Sequence, residues 1–259
     1  MYSRIRTLPA LLILALLHLT ACTQETVVPA PPDVQQAAVT PSLKEQTSEW
    51  LMDYTSQTGI SPIDLRPLAH PYAVQSVEDG DMELLISGFP PPQGWFATPL
   101  GRDAAAVILH PDNPTLDLSL EDLHNLLSGA ITSWEELDGP DKPVQLVLLL
   151  ETDEYRAAVE ASFPSEYNPP ADALLAPDPA AVQETVQQTP GALGITPLSA
   201  VDQSEQEVRI VQIDGVSPGD TTLSTGSYAF TVDIIASAPV EPGGALRNWL
   251  SWIQSDTQN

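Results

Sequence analysis

At 259 residues and 27.8 kDa, with 42% apolar and 17% charged residues, the chain has apolar content for one large domain or two lobes of roughly 100 residues, which excludes a disordered polymer. Its 35 Asp plus Glu stand against 9 Lys plus Arg, and the pI is about 4.1. That balance argues against an extended nucleic-acid or anionic-membrane surface, because phosphate backbones demand clustered cations.

Arg4 and Arg6 precede an apolar run from Leu8 to Leu19, too short to span a bilayer as a lasting helix and suited to a secretory signal core. The run ends in Leu19-Thr20-Ala21-Cys22, which resembles the bacterial lipobox, where a peptidase cuts before a Cys that carries diacylglycerol. Cys22 is the only cysteine, so an intrachain disulfide, a CxxC redox pair and a multi-thiolate zinc site are excluded. Residues 1–21 are therefore expected to be a lipoprotein signal peptide and Cys22 the lipidation site. Residues 22–37, with Pro29, Pro31 and Pro32, are expected to be a semi-extended tether. Processing removes Arg4 and Arg6 but no acidic residue, so the body outside the cytoplasm is still more acidic.

From Ala38 onward, short apolar runs alternate with amphipathic segments, the rhythm of an α/β fold. Ala38-Val39-Thr40 closes a first strand. Pro41-Ser42 opens a helix with apolar Leu43, Trp50, Leu51 and Tyr54, ended by Gly59. A strand over Ile60–Leu68, a helix over Pro71–Met82, a buried strand over Glu83–Gly88 and a strand over Ala104–Leu109 follow. Ser119 caps a helix with Glu121 and Asp122 in its first turn and Leu123, Leu126 and Leu127 on its core face. Ser133 and Glu136 make a capping box around Trp134. Val144–Leu150 reads as a strand covered on both faces. Helices follow from Asp153 to Ser162 and from Asp178-Pro179, then strands over Gly191–Leu198 and Val208–Ile213. Leu246, Trp249, Leu250 and Ile253 mark a final amphipathic helix.

Three segments carry a resemblance. They are LSLEDLHNLLSGAITSWEELDG at 118–139, Pro190-Gly191-Ala192-Leu193-Gly194-Ile195-Thr196-Pro197-Leu198-Ser199, and Ile213-Asp214-Gly215-Val216-Ser217-Pro218 followed by Gly226-Ser227-Tyr228. In that order they resemble the phosphate-importer branch of the type II periplasmic binding proteins, over roughly residues 38 to 256. The resemblance implies an α/β fold of two lobes joined by crossover hinge strands, with ligand held in the cleft at helix N-termini. It implies lobe 1 over 38–110 and 206–259, and lobe 2 over 111–205. Unpaired N–H groups at helix starts bind an oxyanion without surface cations, so an acidic chain is compatible with an anionic ligand.

The ligand-binding candidates implied are Ser42, Ser87, Gly88, Thr152 and Arg156, with Arg102 as a further cation. The sequence departs from the family in the loop after Val144–Leu150, where an Arg and a G-S-G-T segment are usual. Here the chain reads Glu151-Thr152-Asp153-Glu154-Tyr155-Arg156, without glycine and with three carboxylates. Carboxylate against phosphate is repulsive unless one is protonated. The bland expectation for Glu151, Asp153 and Glu154 is a solvated acidic helix start. Trp95 and Phe96, after a Pro-rich loop, are expected to pack near the hinge rather than stack on ligand.

His70, His110 and His124 are scattered without HxH or HExxH spacing, so no metal and no cofactor is expected. Gly215-Val216-Ser217-Pro218-Gly219 matches the G-x-S-x-G pattern of esterases, but Pro218 lacks the N–H that the oxyanion hole requires, so a turn is expected and not an enzyme. The expected function is that of a lipid-anchored extracytoplasmic solute-binding protein. It would be a monomer that captures phosphate or another oxyanion and delivers it to an ABC permease. The competing reading is a sensor or assembly module that has kept the fold and lost oxyanion binding.

Overall fold

The computed structural model describes residues 33–59, 62–163, 167–202 and 207–256. The expected signal peptide, the lipidation site Cys22 and the tether up to Pro32 lie outside the described residues. The tether's expected end does not: strand β1 (Gln35–Val39) starts inside it, its last three residues fully buried. From β1 the chain turns through a single 3-10 turn (Pro41–Leu43) into α1 (Lys44–Thr58), ended by Gly59 at φ 94°. Then come β2 (Ile63–Pro67), α2 (His70–Glu78) and β3 (Leu84–Ser87). β1 lies between β2 and β3 and pairs parallel with both, the arrangement that helical crossovers allow.

β4 (Phe96–Leu109) is the strand on which the architecture turns. The strand expected over Ala104–Leu109 is only its second half; the first half contains Pro99 and Gly101, residues that disfavour a strand. Both flank a bulge in β4 itself, where Leu100 is skipped between Gly101, opposite Ile234, and Pro99, opposite Ile235, the usual way a sheet tolerates such residues. Residues 96–104 pair antiparallel with β11, and residues 105–109 pair antiparallel with β8.

Beyond β4 lie β5 (Asp117–Leu118), α3 (Leu120–Leu127), a 3-10 turn at Trp134–Leu137, β6 (Gln145–Leu149), α4 (Glu154–Glu160), β7 (Leu174–Ala176), α5 (Pro179–Gln188) and β8 (Ala192–Pro197). β6 runs parallel to both β7 and β8. Short strands β9 (Arg209–Ile210) and β10 (Gln212–Ile213) and helix α6 (Asp220–Thr225) lead to β11 (Thr231–Ala238) and α7 (Gly244–Asp256). The order β2-β1-β3-β11-β4-β8-β6-β7 makes two half-sheets that share β4, with β9 on its second half. This is the two-lobed α/β architecture, with β4 as a crossover. We call the β1-β3-β11 side the first lobe and the β6-β8 side the second.

β11 was not anticipated, although Val232, Ile234, Ala236 and Ala238 are buried in alternation. It sits between β3 and the first half of β4, antiparallel to both. The local signals of the second lobe hold. Ser119 Oγ accepts from the Asp122 N–H at 3.0 Å, and the capping box at Ser133 and Glu136 forms. Asp178 Oδ1 accepts from the Ala181 N–H at 2.9 Å. Trp134 is fully buried, and its Nε1 donates to the Gly191 carbonyl at 2.8 Å. The G-x-S-x-G segment is a turn: Asp214 and Gly215 both have positive φ, and Ile213 bridges Val216. Trp95 packs against the small cluster of Ala38, Ala73, Val77, Met82 and Leu85, and Phe96 opens β4.

Candidate functional site

The first lobe presents two chain ends side by side. After β1, Thr40 stays extended and donates its N–H to the Ile86 carbonyl at 3.1 Å, which ties the β1 exit to β3. Pro41 then sets the φ of the first turn, bringing Ser42 to the start of the helical segment. Thr40 and Ser42 are both buried. At the end of β3, Ser87 Oγ accepts from the Phe89 N–H at 3.0 Å and meets His70 Nδ1 at 3.0 Å. Gly88 follows where a side chain does not fit: a Cβ there would stand 2.4 Å from Val232 Cγ1 and 2.7 Å from Glu154 Cγ.

The second lobe supplies the other wall from the β6–α4 turn. Asp153 caps α4, with Oδ1 accepting from the N–H groups of Tyr155 at 2.9 Å and Arg156 at 3.4 Å. Its Oδ2 is left free for the first lobe and accepts from Ser42 Oγ at 2.5 Å. Next to it, Glu154 Oε1 accepts from Thr40 Oγ1, while Glu154 Oε2 is buried without a hydrogen-bond partner. Beneath the pair, the Tyr155 hydroxyl donates to Asp103 Oδ2 at 3.0 Å; Asp103 also accepts from Ser199 Oγ at 2.7 Å and the Ala104 N–H at 2.7 Å. Asp103 stands on β4 just before the strand changes partners.

Three carboxyls are thus buried at one junction, and burial is the largest influence on each. It raises the pKa of Asp103, against hydrogen bonds from Ser199, Ala104 and Tyr155. It raises that of Asp153, against Ser42, two backbone N–H groups and the Arg156 charge. In Glu154, burial and then the neighbouring Asp153 charge push the pKa up to about 7. At neutral pH this carboxyl therefore exchanges between an acceptor and a donor form. Tyr155, among these groups, is held well above the ordinary phenol range by burial and then by Asp103.

The solvated acidic helix start expected from the sequence is found at Glu151, which is exposed, but Asp153 and Glu154 are 6% and 2% exposed. The first lobe covers them, and a reading of local sequence does not contain that cover. Of the ligand-binding candidates, Ser42 and Gly88 meet at the junction with Asp153 and Glu154. Ser87 lies one residue behind Gly88, with its hydroxyl engaged by His70 and Phe89. Thr152 is exposed on the turn before α4. Arg156 is buried and directed within its own lobe, donating to the Leu149 carbonyl at 3.0 Å and Glu160 at 2.6 Å. Arg102 pairs with Asp233 at 2.6 Å. Thr40, not singled out from the sequence, is the further residue at the junction; its place directly after a buried strand was the available signal.

A polar cavity of about 220 Å³ opens beside Ser42, between α1 and Ser199. A second, of about 370 Å³, is lined by Gly88, Phe89, Glu154, Ala157 and Val232. Among the described residues, no group of three or more His, Cys, Asp or Glu is arranged to hold a metal ion.

A family model described as a PBP superfamily domain matches residues 26–257. The chain belongs to this family. Among curated proteins, the phosphate-binding protein PstS of Bacillus subtilis (strain 168) is 26% identical over 151 residues. That match takes in 58% of this chain and 49% of the relative, so the chain spans about half the length of the curated relative it matches. A solved structure from Clostridium perfringens, described as a phosphate ABC transporter substrate-binding protein with bound phosphate, superposes with a TM-score of 0.78 at 19% identity. It covers 86% of this chain and 93% of its own. An ABC-type phosphate transport receptor from Vibrio cholerae superposes with a TM-score of 0.69 at 14% identity, covering 86% and 95%. These structures share the fold of this PBP superfamily member, with its cleft region between the two half-sheets.

Proposed function

We propose that this PBP superfamily member is an extracytoplasmic solute-binding protein of phosphate-importer type. It takes up phosphate or another oxyanion between its lobes and delivers it to an ABC permease, with no bond made or broken. Residues 1–21 serve as signal peptide, Cys22 as the lipid anchor to the membrane and residues 22–34 as tether. The protein works as a monomer with lobes over 35–110 and 206–259, and over 111–205, except that β9 and β10 at the start of the return segment stay paired with the second half of β4 and with β5. One observation carries the reading: Thr40 and Ser42, side by side at the exit of β1, each donate a hydroxyl hydrogen bond to an oxygen of a carboxylate. These donors match what an oxyanion requires, and they face the opposite lobe, as capture by lobe closure demands. Ser87 directly precedes Gly88, with its hydroxyl engaged by His70 and the Phe89 N–H.

The test is calorimetric titration of the detergent-solubilised full chain with phosphate, sulfate, molybdate and phosphonates. Micromolar or tighter binding of one of them, weakened at least tenfold by Ser42→Ala, is the expected result. Silence across all of them overturns capture and favours a second reading, a sensor or assembly module with the fold kept and oxyanion binding lost. The loop at 151–156, with three carboxylates and no glycine, favours that second reading. For the anchor, Cys22→Ser is expected to release the protein from membranes; retention of that variant overturns lipidation.

A further inference from the structure

Thr40 and Ser42 belong to the first lobe, and Asp153 and Glu154 to the second, so the bonds between them cross the cleft. Both are made between buried partners, where little water competes. Each hydroxyl has one proton to give, and each gives it to a carboxylate of this chain. The Glu154 stem is seated against Gly88 so closely that a Cβ at Gly88 would stand 2.7 and 2.9 Å from Glu154 Cγ and Cβ. Glu154 Oε2, in a residue only 2% exposed, has no hydrogen-bond partner of good geometry, while the Thr40 hydroxyl and the backbone N–H groups of Glu154 and Gly88 around the carboxyl favour its charged form. That is how a group sits when it fills a site rather than completes a core network. Beside it, the cavity of about 370 Å³ that Glu154 helps to line is large enough to receive the side chain if it leaves.

We propose that Asp153 and Glu154 form a tethered oxyanion: they clasp the two lobes across the cleft, and a free anion reaches Thr40, Ser42 and Gly88 only by displacing them. The clasp stands on the interlobe bonds alone; the displacement rests on the oxyanion reading given above. A free anion cannot share the donors with the pair, because the hydroxyl protons are committed and the charges repel. Ligand affinity at this cleft is thus the difference between the free anion and the tethered one, and solute capture is an exchange.

The experiment reads lobe separation and binding independently. In full-length chain carrying Cys22→Ser, spin labels are placed through Asp53→Cys on α1 and Glu184→Cys on α5, both exposed positions on opposite lobes. With the two native carboxylates, one narrow distance distribution is expected. Glu154→Ala is expected to broaden and lengthen it and to tighten inorganic phosphate binding at least tenfold by calorimetry. Thr40→Val is expected to lengthen it likewise with no gain in phosphate affinity, since a cradle donor is lost. Glu154→Gln keeps the volume and one acceptor, and is expected to shift both readouts in the direction of Glu154→Ala but less; it replaces the alanine variant if circular dichroism shows that variant unfolded. Unchanged distances in Glu154→Ala or Glu154→Gln and in Thr40→Val overturn the clasp, whatever phosphate does. Longer distances without any phosphate binding uphold the clasp and overturn the oxyanion reading instead.

Discussion

Two helices of the second lobe begin alike in sequence and differently in space. α3 opens with Ser119 as cap, followed by Glu121 and Asp122; α4 opens with Asp153 as cap, followed by Glu154. In α3 the acidic turn stays within its own helix: Glu121 is exposed, and Asp122 accepts from the Ser119 hydroxyl at 2.6 Å. In α4 the same turn is covered by the first lobe, so the cap also accepts from Ser42 and the next carboxylate accepts from Thr40. One arrangement of residues therefore serves as a plain helix start in one place and as a contact between lobes in the other. Solvent exposure decides which, and exposure is set by a partner more than 100 residues away in the chain.

The largest effect expected from this difference is in the pH dependence of stability. Glu154 titrates near 4.5 when unfolded and near 7 when folded, with Asp153, Asp103, Tyr155 and Arg156 as the ionisable groups around it. Between those values the folded chain holds a proton that the unfolded chain has released. Raising the pH through that window therefore pulls toward unfolding, and stability falls by about 3 kcal/mol from pH 4.5 to 8 on this account. Urea denaturation across that range in the native chain and in Glu154→Gln separates this share from the general self-repulsion of an acidic protein. The variant is expected to lose most of the fall, whereas Glu121→Gln on α3 is expected to retain all of it. Parallel curves for the native chain and Glu154→Gln break the comparison.

How much of this was legible follows the same division. Signals that act within a few residues were read correctly from the chain: the Ser119 cap, the Ser133–Glu136 box, the Asp178-Pro179 start and the apolar stripe of α7. Features whose cause lies elsewhere in the fold were not. β11 carries an apolar alternation but follows a turn-rich stretch, and its role is fixed by β3 and β4 rather than by its own residues. The first half of β4 was hidden by Pro99 and Gly101, which the bulged pairing with β11 absorbs. At the site, the resemblance pointed to Ser42, Ser87, Gly88, Thr152 and Arg156, of which Ser42 and Gly88 stand at the interlobe junction. The burial of Asp153 and Glu154 was illegible because their own segment is polar and the cover comes from Thr40–Leu43.

A smaller effect sharpens the comparison at the caps themselves. Ser119→Ala removes the acceptor for one N–H at an accessible helix start, a loss of about 1 kcal/mol. Asp153→Ala removes the acceptor for two N–H groups and also leaves the buried Ser42 hydroxyl without its partner, a loss of about 2 kcal/mol. Asp153→Asn retains a capping oxygen and turns an amide N–H donor toward Ser42 Oγ, which must then accept, and is expected to fall between the native chain and Asp153→Ala. Chemical denaturation at pH 7 measures all three. The diagnostic variant is Ser42→Ala combined with Asp153→Ala: if the interlobe bond accounts for the excess over Ser119→Ala, the double variant costs less than the two single losses added together. Strict additivity means that Asp153 acts only within α4, and the two acidic helix starts are then equivalent in energy as well as in sequence.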